Sequence, residues 1–262
     1  MIKKFCAVAL MFFIFILPAF AVVVDGGIYT SGVGKYLWRG AVLNNGPAIQ
    51  SGLSFGAQGA SLGIWTSCQQ ALSPDLFDEI DLIANYEHSI PYADFLSLAI
   101  GYMSYFRAPY NYPFLTPSQE ISITLKSDII STPFITWYHS LDALRTYNYM
   151  EAGVSYEYEI GALLNGKNAV GVSAVFGLDL NQVTYDNTDM VKIEAVTMTV
   201  AGFNIYYNYK IAGFTITPSA FFQLSLNKYK NSNGSKLYSN NTSFSLMANY
   251  DFTMGSKEKS AE

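Results

Sequence analysis

Apolar and polar residues alternate with a period of two along most of the chain, and the segment from Tyr147 to Ile160 shows this pattern most clearly. One parity of that segment is free of charge, whereas the other carries carboxylates at Glu151, Glu157 and Glu159. Successive side chains of a β-strand point to opposite faces of its sheet, so this pattern predicts a strand with one apolar and one polar face. Similar runs occur at residues 79–87, 120–128, 214–227 and 243–252.

Turn-forming residues divide these runs into strands of similar length. The pattern predicts about twelve strands, at residues 27–39, 47–58, 60–69, 78–88, 94–106, 118–129, 132–140, 147–160, 168–180, 192–210, 214–228 and 241–252. The links after odd-numbered strands are long and rich in Asn, Asp, Pro and Tyr, whereas the links after even-numbered strands are mostly short turns. This asymmetry, with an even number of strands, is typical of a bacterial outer-membrane barrel.

The sequence therefore predicts an all-β fold, namely a transmembrane, antiparallel, up-and-down β-barrel of about 12 strands. A soluble β-sandwich also alternates, but it would present charged residues to water on its outer faces and along its edge strands. Here one face of each strand is apolar with aromatic ends. Closing the sheet into a barrel gives every backbone group a partner, which a lipid environment demands.

Both ends of the chain are predicted to lie outside the barrel. Lys3 and Lys4, the apolar run behind them and the triplet Ala19-Phe20-Ala21 fit an export signal that is cleaved after residue 21. The predicted barrel spans residues 22–252, and residues 253–262 form a polar C-terminal tail. Beyond the signal no apolar stretch of about 18 residues occurs, which argues against membrane-spanning helices.

Composition narrows the possible functions. Of the 262 residues 50% are hydrophobic and only 13% are charged, with a formal net charge of −5, so the chain offers no basic surface for nucleic acid. Two Cys and two His favour neither a disulfide framework nor a metal or cofactor site, and none is predicted. The 20 Tyr suit the membrane interface, where an apolar ring with a polar tip is stable.

Several short motifs resemble one family of outer-membrane barrels. They are Tyr36-Leu37-Trp38-Arg39-Gly40, Gly46-Pro47-Ala48-Ile49-Gln50, Gly63-Ile64-Trp65-Thr66-Ser67, Glu79-Ile80-Asp81-Leu82 and Gly101-Tyr102. In order and spacing these segments resemble the TorF-like porin family over most of residues 27–140. The resemblance implies an outer-membrane location and passive transport, and it implies no defined substrate.

One group of residues resembles part of a hydrolase site. His139 and Ser140, with Asp142 nearby, match the residue types that activate a serine in outer-membrane lipid hydrolases. Neighbouring strand residues point to opposite faces, however, so His139 and Ser140 would need a partner from another strand. His88 is predicted at the opposite strand end, too remote to help.

Paired carboxylates recur on the polar faces. Glu79 with Asp81, and Glu157 with Glu159, lie two residues apart on one face, about 6–7 Å at strand rise. Such pairs suit acid–base chemistry or divalent cations, but their recurrence on several strands favours the hydrated wall of a lumen. Parity places these charged residues in the predicted lumen: Arg39, Glu79, Asp81, Glu87, Glu120, Lys126, Glu151, Glu157, Glu159 and Asp179.

These features predict an outer-membrane channel for small hydrophilic solutes, exported through the inner membrane. Its acidic lumen would favour cations, no catalytic residue is expected, and a monomer in the lipid bilayer is favoured. Two other functions stay open, namely a lipid hydrolase that depends on His139 and a closed structural barrel whose surface loops bind a partner. Twelve strands are compatible with both an open and a filled lumen.

Overall fold

A computed structural model describes residues 23–69, 78–107, 118–141, 147–163, 166–186, 189–193, 197–225 and 240–254. Within these ranges the chain forms 15 strands. They are β1 (Val24–Val33), β2 (Tyr36–Trp38), β3 (Ala41–Asn44), β4 (Ala48–Ala57), β5 (Ala60–Gln69), β6 (Glu79–Ile90), β7 (Ala93–Arg107), β8 (Ser118–Ser127), β9 (Phe134–Ser140), β10 (Tyr147–Leu163), β11 (Gly166–Asp186), β12 (Asp189–Ile193), β13 (Thr197–Ile211), β14 (Phe214–Ser225) and β15 (Asn241–Met254). The described residues include no helix that is long and apolar enough to cross a membrane.

Twelve of these strands form one closed antiparallel barrel. Their order around the ring is β1, β4, β5, β6, β7, β8, β9, β10, β11, β13, β14 and β15. The seam between the first and last strands runs from Val24 paired with Met254 to Val33 paired with Ser245. The described strands of the ring therefore have no open edge, and the predicted fold class is confirmed.

The two ends of the barrel differ in their connections. Tight turns join β4 to β5, β6 to β7 and β13 to β14 at the end that also carries Val24 and Met254. We call this the short-turn end and the opposite one the long-loop end. At the long-loop end β11 continues beyond the ring to Asp186 and pairs there with β12.

The two faces of the barrel wall differ in the exposure of their side chains. Large apolar residues of the outward parity are exposed on successive strands, including Val154 and Leu246 at 38% and 58%. Inward residues such as Glu79 and Glu120 are buried, at 4% and 2% exposure. A continuous exposed apolar surface around a closed barrel with a polar interior is the surface that faces lipid.

The largest departure from the predicted strands concerns the first one. Residues 27–39 were expected to form one strand, but β1 ends at Val33 and residues 36–44 form a separate hairpin of β2 and β3. Arg39 and Gly40 form its two-residue tip with φ angles of +46° and +88°. A two-residue turn with both residues in the left-handed region matches the type I′ hairpin, so this segment reverses direction instead of extending the wall.

The two ends of the barrel domain also refine the prediction. β15 continues to Met254, beyond the expected strand end at residue 252. The export signal at residues 1–21, and the tail apart from its first two residues, lie outside the described part of the chain. Both therefore stay predictions.

Candidate functional site

The β2–β3 hairpin lies inside the barrel and crosses its lumen. Trp38 packs against Tyr105 of β7 with 6.1 Å between ring centroids. Gln223 of β14 donates a hydrogen bond of 2.8 Å from Nε2 to the carbonyl oxygen of Gly40. Because β7 and β14 lie six places apart in the ring of twelve, these contacts tie the hairpin to opposite walls.

The root of the hairpin is fixed beside β15. The backbone amide of Lys35 donates to Ser243 Oγ at 3.1 Å, and the same hydroxyl donates back to the Lys35 carbonyl oxygen at 2.9 Å. Lys35 Nζ donates to Asn241 Oδ1 at 3.1 Å, and Gly34 N donates to the backbone of β15 at 2.8 Å. The chain therefore turns inward directly after β1.

The tip of the hairpin is held by an ion pair. Arg39 donates from Nη1 and Nη2 to the two carboxylate oxygens of Glu120 on β8, at 2.7 and 2.8 Å. The side chains of Arg39 and Glu120 are 11% and 2% exposed. Hydroxyl groups of Tyr105 and Tyr147 also donate to this carboxylate. A two-pronged arginine–carboxylate contact away from water is among the strongest polar contacts that a protein makes.

Aromatic rings surround the same guanidinium group. Its central carbon lies 3.9 Å from the ring centroid of Tyr138, 4.6 Å from that of Trp38 and 4.8 Å from that of Tyr149. The Tyr147 ring is farther away, at 5.9 Å. Cations over aromatic faces are attracted by the negative charge of the π face, more strongly when water is excluded. We call Glu120, Tyr138, Tyr147 and Tyr149 the guanidinium cage.

A chamber lies along β1, β4, β5 and β15 toward the short-turn end, and lumen-facing residues contribute to its lining. It has a volume of about 730 Å³, and its lining includes Asp25 and Asp251 at the seam and Trp65 of β5. Tyr36 of the hairpin packs on Trp65 with 5.5 Å between ring centroids, so the hairpin contacts one of the residues that line the chamber. Between the seam and Trp65, the chamber is lined largely by small residues of β1, β4 and β5, namely Gly27, Gly52, Ser54, Gly56, Ser61 and Gly63.

The predicted lumen residues occupy inward positions of the barrel wall, with Arg39 instead on the hairpin. Three are buried, namely Glu79, Asp81 and Glu120. Three are half-buried, namely Lys126, Glu151 and Asp179. The others, Glu87, Glu157 and Glu159, are exposed on the inward parity. The structure thus gathers Arg39 and Glu120 into one contact and spreads the remaining charges along the wall.

Several of the wall charges have polar neighbours. Ser97 donates to Glu87 at 2.6 Å, and Asn208 donates to Glu157 at 2.6 Å. Lys126 Nζ lies 3.3 Å from Asp128 Oδ1, and the two side chains are partly exposed, at 43% and 58%. Within the described part of the chain, Glu87 and Glu157 therefore contact neutral donors and not a cation.

Sequence reasoning missed the tyrosines of the cage and Gln223. The available signal was an aromatic residue on a face that is otherwise polar. Tyr138 shares the inward parity of β9 with Thr136, and Tyr149 shares that of β10 with Glu151. An inward aromatic ring in a wet barrel needs a packing partner, and here the partner comes from the hairpin.

The residues of the alternative hydrolase site are not brought together. His139 faces outward, where its Nδ1 lies 3.0 Å from Asn148 Oδ1 and its ring stacks on Trp137 at 5.5 Å. Ser140 faces inward and is buried. Asp142 lies outside the described residues. In the part of the chain that the structure covers, no group of three or more potential metal ligands occurs.

Comparisons with known proteins add little beyond the fold. The sequence matches no protein-family model and no curated protein. Among solved structures, the NanC porin has 14% identity and a TM-score of 0.48 over 88% of this chain and 99% of its own. An outer-membrane channel from Pseudomonas putida F1 has 12% identity and a TM-score of 0.43 over 90% and 97%. LpxR from Salmonella typhimurium has 9% identity and a TM-score of 0.46 over 86% and 99%. At these values the likenesses carry no information about activity or solute, and the TorF-like resemblance stays a prediction.

Proposed function

We propose that the chain is an outer-membrane channel for small hydrophilic solutes, with a preference for cations and a width set by the inserted hairpin. The observation that carries this proposal is the contrast between an exposed apolar exterior and an acidic interior that contains a chamber of about 730 Å³. The polar interior of a membrane barrel surrounds either water or a plug, and a chamber of this volume leaves room for water. Water and small solutes are therefore the expected contents of the lumen.

The charge balance of the wall favours cations. Arg39 is neutralised by Glu120, and Lys126 is paired with Asp128. Carboxylates remain along the inward faces of β10 and β11, at Glu151, Glu157, Glu159 and Asp179. Rings of carboxylates in a confined passage raise the local concentration of cations and repel anions.

Replacing Glu151, Glu157 and Glu159 by Gln is expected to move the reversal potential of the channel toward that of an anion-permeable pore. The carboxylates supply the negative potential, and lumen positions tune selectivity more than stability. The measurement is the reversal potential across a planar bilayer under a KCl gradient.

A substitution that adds negative charge to the same face provides the control for this experiment. Ser155→Glu adds a carboxylate to the same inward face and should strengthen the cation preference. The preference should also weaken at about 1 M salt, where screening acts over about 3 Å. A reversal potential that is the same in wild type and in both variants would contradict an acidic selectivity wall.

Orientation in the membrane gives a separate prediction. The short-turn end, which carries Val24 and Met254, should face the periplasm, and the long-loop end should face outside, as in outer-membrane barrels generally. In a Cys68→Ser background, a membrane-impermeant thiol reagent on intact cells should label Asn240→Cys, because this position lies at the long-loop end. Tyr92→Cys in an exposed short turn should react only after the cells are broken. If Tyr92→Cys were labelled on intact cells and Asn240→Cys were not, the orientation of the barrel in the membrane would be the opposite one.

The hairpin itself favours a second candidate function. Because it ties opposite walls together, the barrel could be a closed structural element whose long loops bind a partner. The two functions differ in conductance. A wild-type protein and an Arg39→Ala variant that both fold but pass no ions would support the closed barrel.

A further inference from the structure

We propose that the guanidinium cage is a binding site for a guanidinium group of a solute, and that Arg39 is the chain's own occupant of this site. The inference rests on the proposed channel function and names the class of solute that the channel would recognise. That class is small organic cations with a guanidinium group. Such a solute would pass the hairpin by exchanging with Arg39.

The cage has the geometry that this cation requires. A guanidinium group is planar and presents donors in a fork that matches a carboxylate with two contacts. Glu120 accepts both prongs, at 2.7 and 2.8 Å, and the Tyr147 hydroxyl accepts a further hydrogen bond of 3.1 Å from Nη1. The rings of Tyr138 and Tyr149 cover the guanidinium carbon at 3.9 and 4.8 Å. All four cage residues belong to the wall, so a free guanidinium would meet the same contacts.

The cage is supported by neighbours that do not depend on Arg39. Tyr105 of β7 donates a hydrogen bond of 3.2 Å to Glu120 Oε1. The rings of Tyr138 and Tyr149, on paired positions of β9 and β10, lie 5.9 Å apart. A carboxylate that is 2% exposed is costly without a counter-charge, so a cation bound in place of Arg39 would restore the buried pair.

The surroundings of the cage would draw in a solute with more than one positive charge. Asp179 is paired with Tyr149 in the β10–β11 register, and Glu151 follows on the same face of β10. Both carboxylates are half-buried on the lumen wall. A molecule with a guanidinium at one end and an ammonium at the other would satisfy both the cage and these acids.

The test uses agmatine, which has this structure, and its urea analogue N-carbamoylputrescine as the matched control. Binding is measured by titration calorimetry on the full-length protein in detergent, for wild type and Arg39→Ala. Agmatine should bind Arg39→Ala about tenfold or more tighter than it binds wild type, because Arg39 no longer competes. The urea analogue has nearly the same shape without the guanidinium charge, and it should bind at least about tenfold more weakly.

A second substitution tests whether the cage is the site. In the Arg39→Ala background, Tyr138→Ala should weaken agmatine binding about tenfold. Tyr206→Ala removes another inward ring, paired with Gly171 nearer the short-turn end, and should leave the affinity unchanged. Equal losses from Tyr138→Ala and Tyr206→Ala, or equal binding of agmatine and its urea analogue, would overturn the proposal.

Folding and conductance separate this proposal from the channel itself. Each variant is checked by its heat-dependent migration on gels, and Arg39→Gln replaces Arg39→Ala in every comparison if the latter does not fold. A folded Arg39→Ala protein that conducts K⁺ but does not bind agmatine overturns the guanidinium site and leaves the channel in place. A folded Arg39→Ala protein that binds agmatine but passes no ions supports the site and overturns the channel.

Discussion

Arg39→Ala is expected to raise the single-channel conductance of the barrel severalfold. The substitution removes the two hydrogen bonds to Glu120 and leaves this carboxylate buried without its counter-charge. Removing one partner of a buried ion pair costs about 3–5 kcal/mol, which shifts the hairpin from bound toward free by about a hundredfold or more. Conductance is measured for wild type and variant in planar bilayers at the same salt concentration.

Lys126→Ala is the matched control for this experiment. It also removes one positive charge from the lumen, but its pair with Asp128 is exposed and such pairs contribute little to stability. The conductance of Lys126→Ala should stay near that of wild type. Deletion of residues 36–44 removes the hairpin and should give the highest conductance of the series. If Arg39→Ala and the deletion both conducted like wild type, the hairpin would not limit the passage.

The second large effect is expected on the lipid side. Val154→Arg should lower the free energy of unfolding in lipid by about 2–4 kcal/mol, because it places a charge on the apolar face near the membrane midplane. Val154 lies in the middle of β10, opposite Ala174, and is exposed on the outer surface. The measurement is urea unfolding of the protein folded into lipid vesicles.

The neighbouring position tests the register. Ser155→Arg faces the lumen, where Glu157 lies on the same face of the strand, and its cost should stay below about 1 kcal/mol. Equal costs at the two positions would contradict the register. Gln223→Arg would be a poor control although Gln223 also faces inward, because it is buried and donates to the Gly40 carbonyl of the hairpin.

The barrel wall could be predicted from sequence because one face of each strand contacts lipid and the other faces the polar lumen. On β10 the carboxylates of Glu151 and Glu157 alternate with lipid-facing apolar residues, and a slip by one residue would place these charges in lipid. The penalty for that error is large, so the face on which each residue lies follows from the alternation. β5 and β14 begin at their predicted residues, 60 and 214, because turns with Gly59 and Gly213 directly precede them.

The hairpin was missed because its residues are also compatible with a continuing strand. Tyr36, Leu37 and Trp38 are an apolar and aromatic run of the kind found in strands, and Arg39-Gly40 is not the Asn-Gly or Asp-Gly pair that marks a type I′ turn most clearly. What folds the segment inward is a set of distant contacts, with Glu120 at the tip and Gln223 at the opposite wall. Local pattern contains no information on contacts between residues that lie so far apart in the chain.

The seam between β1 and β15 sets the order in which the molecule is assembled. Val24 pairs with Met254, so the ring closes only after the last strand has been synthesised and delivered to the first. The tip of the hairpin contacts Glu120 of β8, Tyr147 of β10 and Gln223 of β14. These contacts can therefore form only after most of the wall is in place. A chain arrested before β15 would present two unpaired strand edges and a hairpin whose root at Lys35 lacks its partners Asn241 and Ser243, which are features that a protease or a chaperone can recognise. Closure of the seam is thus the step that separates a vulnerable precursor from the finished barrel.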